Sequence, residues 1–314
     1  MTALSNTHVE MDQKYMAYMS ASAHGKRARK VEKLRKAVVE AISESKYKAS
    51  GLPFYKGDKS LRQSHLDYIQ MCYLVFNDDY EKIVNMEEIA EQSFDEMEAY
   101  LLLREKTEEK LKMAGDKLQA EVRAFAAKHD VELIETKSAL GEKMALTGAV
   151  NHYYNKVYLL FFKCNWQHNQ MIEALNQQKV NAVEQARSSL VRFATEGLAV
   201  LDTMKGYNMD KSLVLAGKHT LQLYKRAAET EIPKMIEFLV KKENFAKMDK
   251  AMKSKSSPSQ EEIDAFNKEV KDYNASIKVY NTANDSSNKL SNEAYNSWEK
   301  AVKEFYDRHV PHYK

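Results

Sequence analysis

The sequence predicts an all-α protein: an elongated antiparallel bundle of long helices made from two diverged copies of one helical unit. Three observations carry this reading. Helix breakers are scarce, with nine Gly and four Pro in 314 residues, while Ala, Glu, Lys, Leu and Met recur throughout. Charged residues make up 30% of the chain and mean hydropathy is −0.61, the composition of solvated helices that each bury a narrow apolar stripe. Short patterns also recur at a fixed offset.

Taken in order, helical periodicity starts near residue 8 and runs to about Ser45, with Gly25 as an interruption. Gly51-Leu52-Pro53 breaks the chain, and Asp58 reads as the N-cap of a second helix ending near Asn77 and Asp78. A long helix follows from Asp79 to about His129, roughly 75 Å at 1.5 Å per residue, with Gly115 as its weak point. Val131 to Ile134 is the one strand-like run and reads as a connector within 130–137. Helical patterns resume over 138–176 and 179–203, Gly206 to Met209 forms a loop, and Asp210 is a second N-cap. Pro233 suits a helical first turn, where its missing N–H costs nothing. The stretch 253–258 is a Ser/Lys/Pro loop, after which Ser259 and Glu262 form a capping box opening a helix that ends by Pro311.

The recurrence begins with YxxDKSL, found at 55–61 and again at 207–213, an offset of 152. At that offset Val31, Glu32, Arg35 and Val39 meet Val183, Glu184, Arg187 and Val191. A Vxx-Fxx-[KR]H pattern at Val122–His129 returns at Val302–His309, where the offset is 180, so the second copy holds about 28 residues more. Val31, Leu34, Val38 and Ile42 share one helical face, as do Val183, Ala186, Leu190 and Ala194. The expected division is therefore 1–137 and 138–314, with the second copy carrying a long loop near 250–258.

Composition narrows function mostly by exclusion. A formal charge of +3 implies no polyanionic partner for the chain as a whole, so no nucleic acid is expected. No apolar run approaches the ~20 residues of a membrane helix; the strongest, Val157 to Phe162, ends at Lys163. The first residues show neither a basic n-region nor an apolar h-region, so no signal peptide is expected within the chain. Cys72 and Cys164 form no CxxC or zinc pattern and read as buried free thiols, although a disulfide would equally suit an oxidising compartment. No His follows a Glu at the ExxH spacing, and HExxH and Gly-rich phosphate loops are missing. The chain accordingly reads as a non-enzyme without a cofactor, with no metal site assigned.

Two constellations stand out against that background. The most aromatic stretch runs over 153–168. There Tyr154, Tyr158, Phe162, Cys164, Trp166 and His168 would line a groove for a small apolar, heme or metal ligand, or else pack as ordinary core. Lys26, Arg29, Lys30 and Lys33 form a basic helical stripe. It would meet an anionic partner, or simply face solvent or the acids Glu87, Glu88 and Glu91. His309 and His312 add an HxxH pair at a chain end expected to fray.

The segments GLPFYKGD at 51–58, YEKIVNMEEIAEQS at 80–93, YNKVY at 154–158 and KKENF at 241–245 resemble those of an uncharacterised family of bacterial all-helical surface proteins. That resemblance spans nearly the whole chain and implies an exported or lipid-anchored protein, with no established activity and no site residues to carry over. It makes the leading expectation a non-enzymatic, extracytoplasmic binding or scaffold protein at a bacterial surface, with an unknown protein or envelope partner. A ligand-binding bundle using 153–168 is the alternative, and a basic-face adaptor, cytoplasmic in that case, comes third.

Overall fold

In the computed structural model, residues 1–25, 28–134 and 139–313 are described, without the side chains of Ala28, Val84, Asn85, Glu87 and Glu88. The chain is all-helical, and the described residues contain no strand. Its α-helices are α1 (Thr2–Asn6), α2 (Val9–Ala23), α3 (Ala28–Ser50), α4 (Ser60–Leu74), α5 (Tyr80–Ala90), α6 (Phe94–Lys128), α7 (Ala139–Asn176), α8 (Val180–Thr203), α9 (Ser212–Arg226), α10 (Ile232–Lys253) and α11 (Gln260–His309). A π-helical turn, Val75–Asp79, joins α4 to α5, and another, Ala227–Glu231, joins α9 to α10.

The chain forms two compact units, residues 1–155 with 303–314 and residues 156–302. Both divisions fall inside helices, α7 and α11, rather than at the connector near 137 expected from sequence.

Several local expectations change. Gly25, at φ +60°, does end the first helical stretch, because the left-handed conformation after His24 favours glycine. The helix expected from Asp79 to His129 is instead two helices. Ser93 takes extended backbone, and its Oγ accepts the Glu96 N–H at 3.2 Å and donates to the Glu96 carboxylate at 3.0 Å, an N-cap that starts α6. Gly115 lies within unbroken helix, and Val131 to Ile134 is irregular, as expected of a connector. Asp58 and Asp210 act one position earlier than a formal N-cap: each Oδ1 accepts the N–H of the second residue on, Ser60 or Ser212, at 2.8 Å. The Ser259–Glu262 capping box forms in both directions, at 3.0 and 3.3 Å.

The core of the first unit is set by Met16 on α2, Val38 and Ile42 on α3, Ile69 on α4 and Phe76 in the π turn, all essentially inaccessible. A π turn leaves backbone carbonyls off the helical ladder, and the Phe76 carbonyl accepts from Arg35 Nη1 at 2.6 Å. In the second unit Leu190 and Leu201 on α8, Leu213, Leu221 and Tyr224 on α9, and Trp298 on α11 are fully buried. The Trp298 indole stacks on Phe161 at 4.5 Å between centroids, an arrangement worth about 0.5–1.5 kcal/mol beyond the area it buries.

Candidate functional site in the first unit

The first unit encloses a half-open cavity of about 580 Å³ between α2, α4, α6 and the first turns of α7. That volume lies in the range of small-molecule sites. Its apolar wall comes from Met11 and Met19 on α2, Phe76 in the π turn and Met144 on α7. Methionine suits such a wall, since its flexible thioether adapts to irregular ligands. Helical spacing explains the placement: Met11, Tyr15 and Met19 recur every four residues, as do Tyr68, Cys72 and Phe76.

The rest of the lining is acidic. Asp12, Glu105, Glu108, Glu109 and Asp116 face the cavity, against Lys112 and His152. Two of these acids are paired. Glu105 Oε1 lies 3.2 Å from His152 Nδ1 and 3.4 Å from the Asn155 amide that donates to it. Lys112 reaches Asp116 at 3.2 Å. Burial raises the Glu108 carboxyl above its ordinary value, opposed by the Arg104 guanidinium one turn earlier and a hydrogen bond from Asn151. Asn151 is held in turn, its Oδ1 accepting from the Tyr306 hydroxyl at 3.3 Å.

Glu109 is exposed and unpaired among the described residues, whereas Asp12 is half-buried. Among the described residues its carboxylate has no hydrogen-bond or ion-pair partner, and burial pushes its pKa from 3.8 up to about 7. Around it stand Tyr15, Tyr68 and Cys72, which line the same cavity. Burial pushes the Cys72 thiol up to about 12, so Cys72 is neutral at physiological pH and is no nucleophile.

The aromatic stretch singled out in the sequence lies elsewhere, and none of its six candidates lines this cavity. Tyr154 belongs to the first unit, its ring 5.1 Å from that of Tyr306. Tyr158, Phe162, Cys164, Trp166 and His168 belong to the second. There Phe162 and Cys164 are buried, Trp166 is partly covered, and the Tyr158 ring lies 5.9 Å from that of Phe162. His168 Nε2 sits 2.8 Å from Ser291 Oγ. That hydroxyl donates to the Ser287 carbonyl, so Nε2 carries the proton and donates to Ser291. Burial holds His168 down to about 4. Cys164 and His168 gain no third His, Cys, Asp or Glu close enough to share an ion among the described residues.

Of the basic stripe, Lys26 lies outside the described residues, whereas Arg29, Lys30 and Lys33 are solvent-exposed on α3. Of the acids set against them in the sequence, Glu91 is exposed. Both cysteines are free and buried.

Sequence reasoning missed Asp12, Glu105 and Glu108. The available signal was register: on α6 the stripe Met97, Tyr100, Leu101 continues through Arg104 and Glu108, placing charge where an apolar face should run on.

No protein-family model matches the chain, nor does any curated protein or solved structure. No helix among the described residues is long and apolar enough to cross a membrane.

Proposed function

We propose that this is a non-enzymatic binding protein whose first unit takes up a small organic cation, an amine on a compact apolar body. The observation that carries the proposal is Asp12, a half-buried carboxylate without a counter-ion in the described structure, set in a cavity where Glu105 and Asp116 are already paired. A half-buried charge without a partner is costly, and an ammonium group seated beside it offsets that cost with a charge-assisted hydrogen bond. The Met and Phe wall would cover the ligand's apolar part.

Isothermal titration with n-hexylamine and phenethylamine, against the corresponding alcohols, tests the reading. The amines should bind with one site and the alcohols should not. Affinity should rise between pH 6 and pH 8, because Asp12, at about 7, must lose its proton to pair with the cation. Asp12→Asn should weaken amine binding at least tenfold. Equal binding of the alcohols, or unchanged affinity in Asp12→Asn, would overturn the proposal.

The proposal includes a place at the bacterial cell surface, supported by the resemblance of residues 51–58, 80–93, 154–158 and 241–245 to exported helical proteins. Finding the native protein only in the cytosolic fraction of its host would refute that part.

We further propose that α3–α5 and α8–α10 descend from one duplicated segment. Both sets start 152 residues apart: Ala28 and Val180, Ser60 and Ser212, Tyr80 and Ile232 (180 minus 28, 212 minus 60, 232 minus 80). The π turns start at Val75 and Ala227, and the Tyr55–Asp58 bridge answers Tyr207–Asp210. Each bridge closes a turn with two positive-φ residues, Lys56 and Gly57 or Asn208 and Met209. Sequences of relatives should converge between 28–90 and 180–242; divergence there would sink the idea.

A further inference from the structure

We propose that the first unit holds a first-row divalent transition metal, of the zinc type, through His24, Asp307 and His312. One ligand atom from each lies within 4.8 Å of the others. His24 follows the last turn of α2, Asp307 lies in the last turn of α11, and His312 is in the tail beyond.

His24 is the decisive residue. Its side chain is only 4% exposed, and its Nε2 is buried with no hydrogen-bond partner. Its Nδ1 lies 2.7 Å from the Ser20 carbonyl, to which it can only donate. That bond fixes the tautomer and leaves the Nε2 lone pair free, with Asp307 Oδ1 3.9 Å away. A histidine whose far nitrogen is anchored to a carbonyl while the near one is free is the usual arrangement of a metal ligand.

The two other ligands can close on it. Asp307 and His312 are 43% and 68% exposed, and His312 Nε2 lies 3.7 Å from Asp307 Oδ1. Ligand atoms on a tetrahedral zinc stand roughly 3.3 Å apart, so modest side-chain rotations bring the three to bonding distance. The His312 ring, now stacked on His24 at 3.8 Å, would turn edge-on. The tail carrying His312 is already docked, since Val310 is buried and the Tyr313 N–H donates to Ser20 Oγ at 3.0 Å. Two imidazoles and one carboxylate favour zinc, nickel or copper over calcium and magnesium, with water completing the shell.

The test uses the untagged full-length chain, stripped with chelator and titrated with zinc chloride. One ion should bind and raise the melting temperature. Cobalt(II) should give the visible absorption of a tetrahedral site. His312→Ala, at an exposed position that leaves the core intact, should lower zinc affinity at least tenfold, and His24→Gln should do the same. His309→Ala, the other histidine of the HxxH pair, should leave affinity unchanged. Absence of saturable zinc binding, or equal loss in His309→Ala, would overturn the site.

Discussion

The segments α3–α5 and α8–α10 have matching starts, the same positive-φ turn and a π turn at the same place, yet their interiors are filled differently. In the second unit two glycines bring helices into contact. A Cβ on Gly197 would lie 2.6 Å from Leu221 Cδ2, and one on Gly217 would lie 3.2 Å from Val157 Cγ1 and 3.3 Å from Leu201 Cδ1. The positions 152 residues earlier are Ser45 and His65. Ser45 Oγ donates to the Ala41 carbonyl, and His65 Nδ1 faces His8 Nε2 at 3.1 Å. The same offset sets Cys72 against Tyr224, whose hydroxyl donates to Asn165 Oδ1 at 2.7 Å. Thus two helical segments with matching starts border a tightly filled interior in one unit and a polar cavity in the other. The choice rests on a few side chains rather than on the path of the backbone.

If filling is what separates the units, truncation should hurt the second more. Trp298 is fully buried and stacked on Phe161, so Trp298→Ala should cost about 3–5 kcal/mol. Leu118, 180 residues earlier and slightly exposed, should cost nearer the lower end of the range for Leu→Ala, about 2 kcal/mol. Urea denaturation of both variants measures the difference, and equal losses would remove the contrast. A step down in size is Gly217→Leu. Its neighbours leave no room, and overpacking of this kind costs about 1–3 kcal/mol.

Much of this framework is legible in the sequence because it depends on local rules. Gly25, the Ser259–Glu262 box and the two YxxDKSL turns act through their own backbone. The π turns are not legible as such: the sequence places a helix boundary near Asn77 and Asp78, where the chain instead runs on through the π turn Val75–Asp79. The Ser93–Glu96 cap was present in the sequence, but helical periodicity on both sides of it masked the break. The candidate site was hidden for a related reason. Aromatic density at 153–168 does not distinguish core from pocket, whereas the cavity depends on Asp12, Glu105 and Glu108 converging from distant helices.

Asp12, in the first unit, should carry a stability cost. Its folded pKa of about 7 stands above its ordinary 3.8. Between those values the folded chain holds a proton that the unfolded chain has released, so this group lowers stability as pH rises from about 4 to about 7. Asp12→Asn should therefore match the parent near pH 4 and exceed it by about 1–2 kcal/mol at pH 8. His8 and His65, both held down to about 4 by burial and His65 also by the charge of His8, act in the opposite sense. Their contribution is complete above pH 6.5 and is lost as pH falls toward 4. They are common to parent and variant, so the difference between the two melting curves isolates Asp12. A variant less stable than the parent at pH 8 would mean that the carboxylate has a partner.

The smallest effect compares glycines directly. Gly148 lines the cavity within helix α7, and a Cβ there would meet only Glu108 Oε2 at 3.9 Å, an ordinary contact. Replacing a helical glycine by alanine where space allows reduces the freedom of the unfolded chain, and is worth about 0.4–1 kcal/mol. Gly148→Ala should therefore raise stability by about that amount, opposite in sign to Gly217→Leu in the second unit. The added methyl borders the cavity without touching Asp12, so amine binding should persist in this variant. If Gly148→Ala destabilised the chain, the interior at α7 would be as closely packed as that around Gly217. The distinction between an open first unit and a filled second one would then collapse.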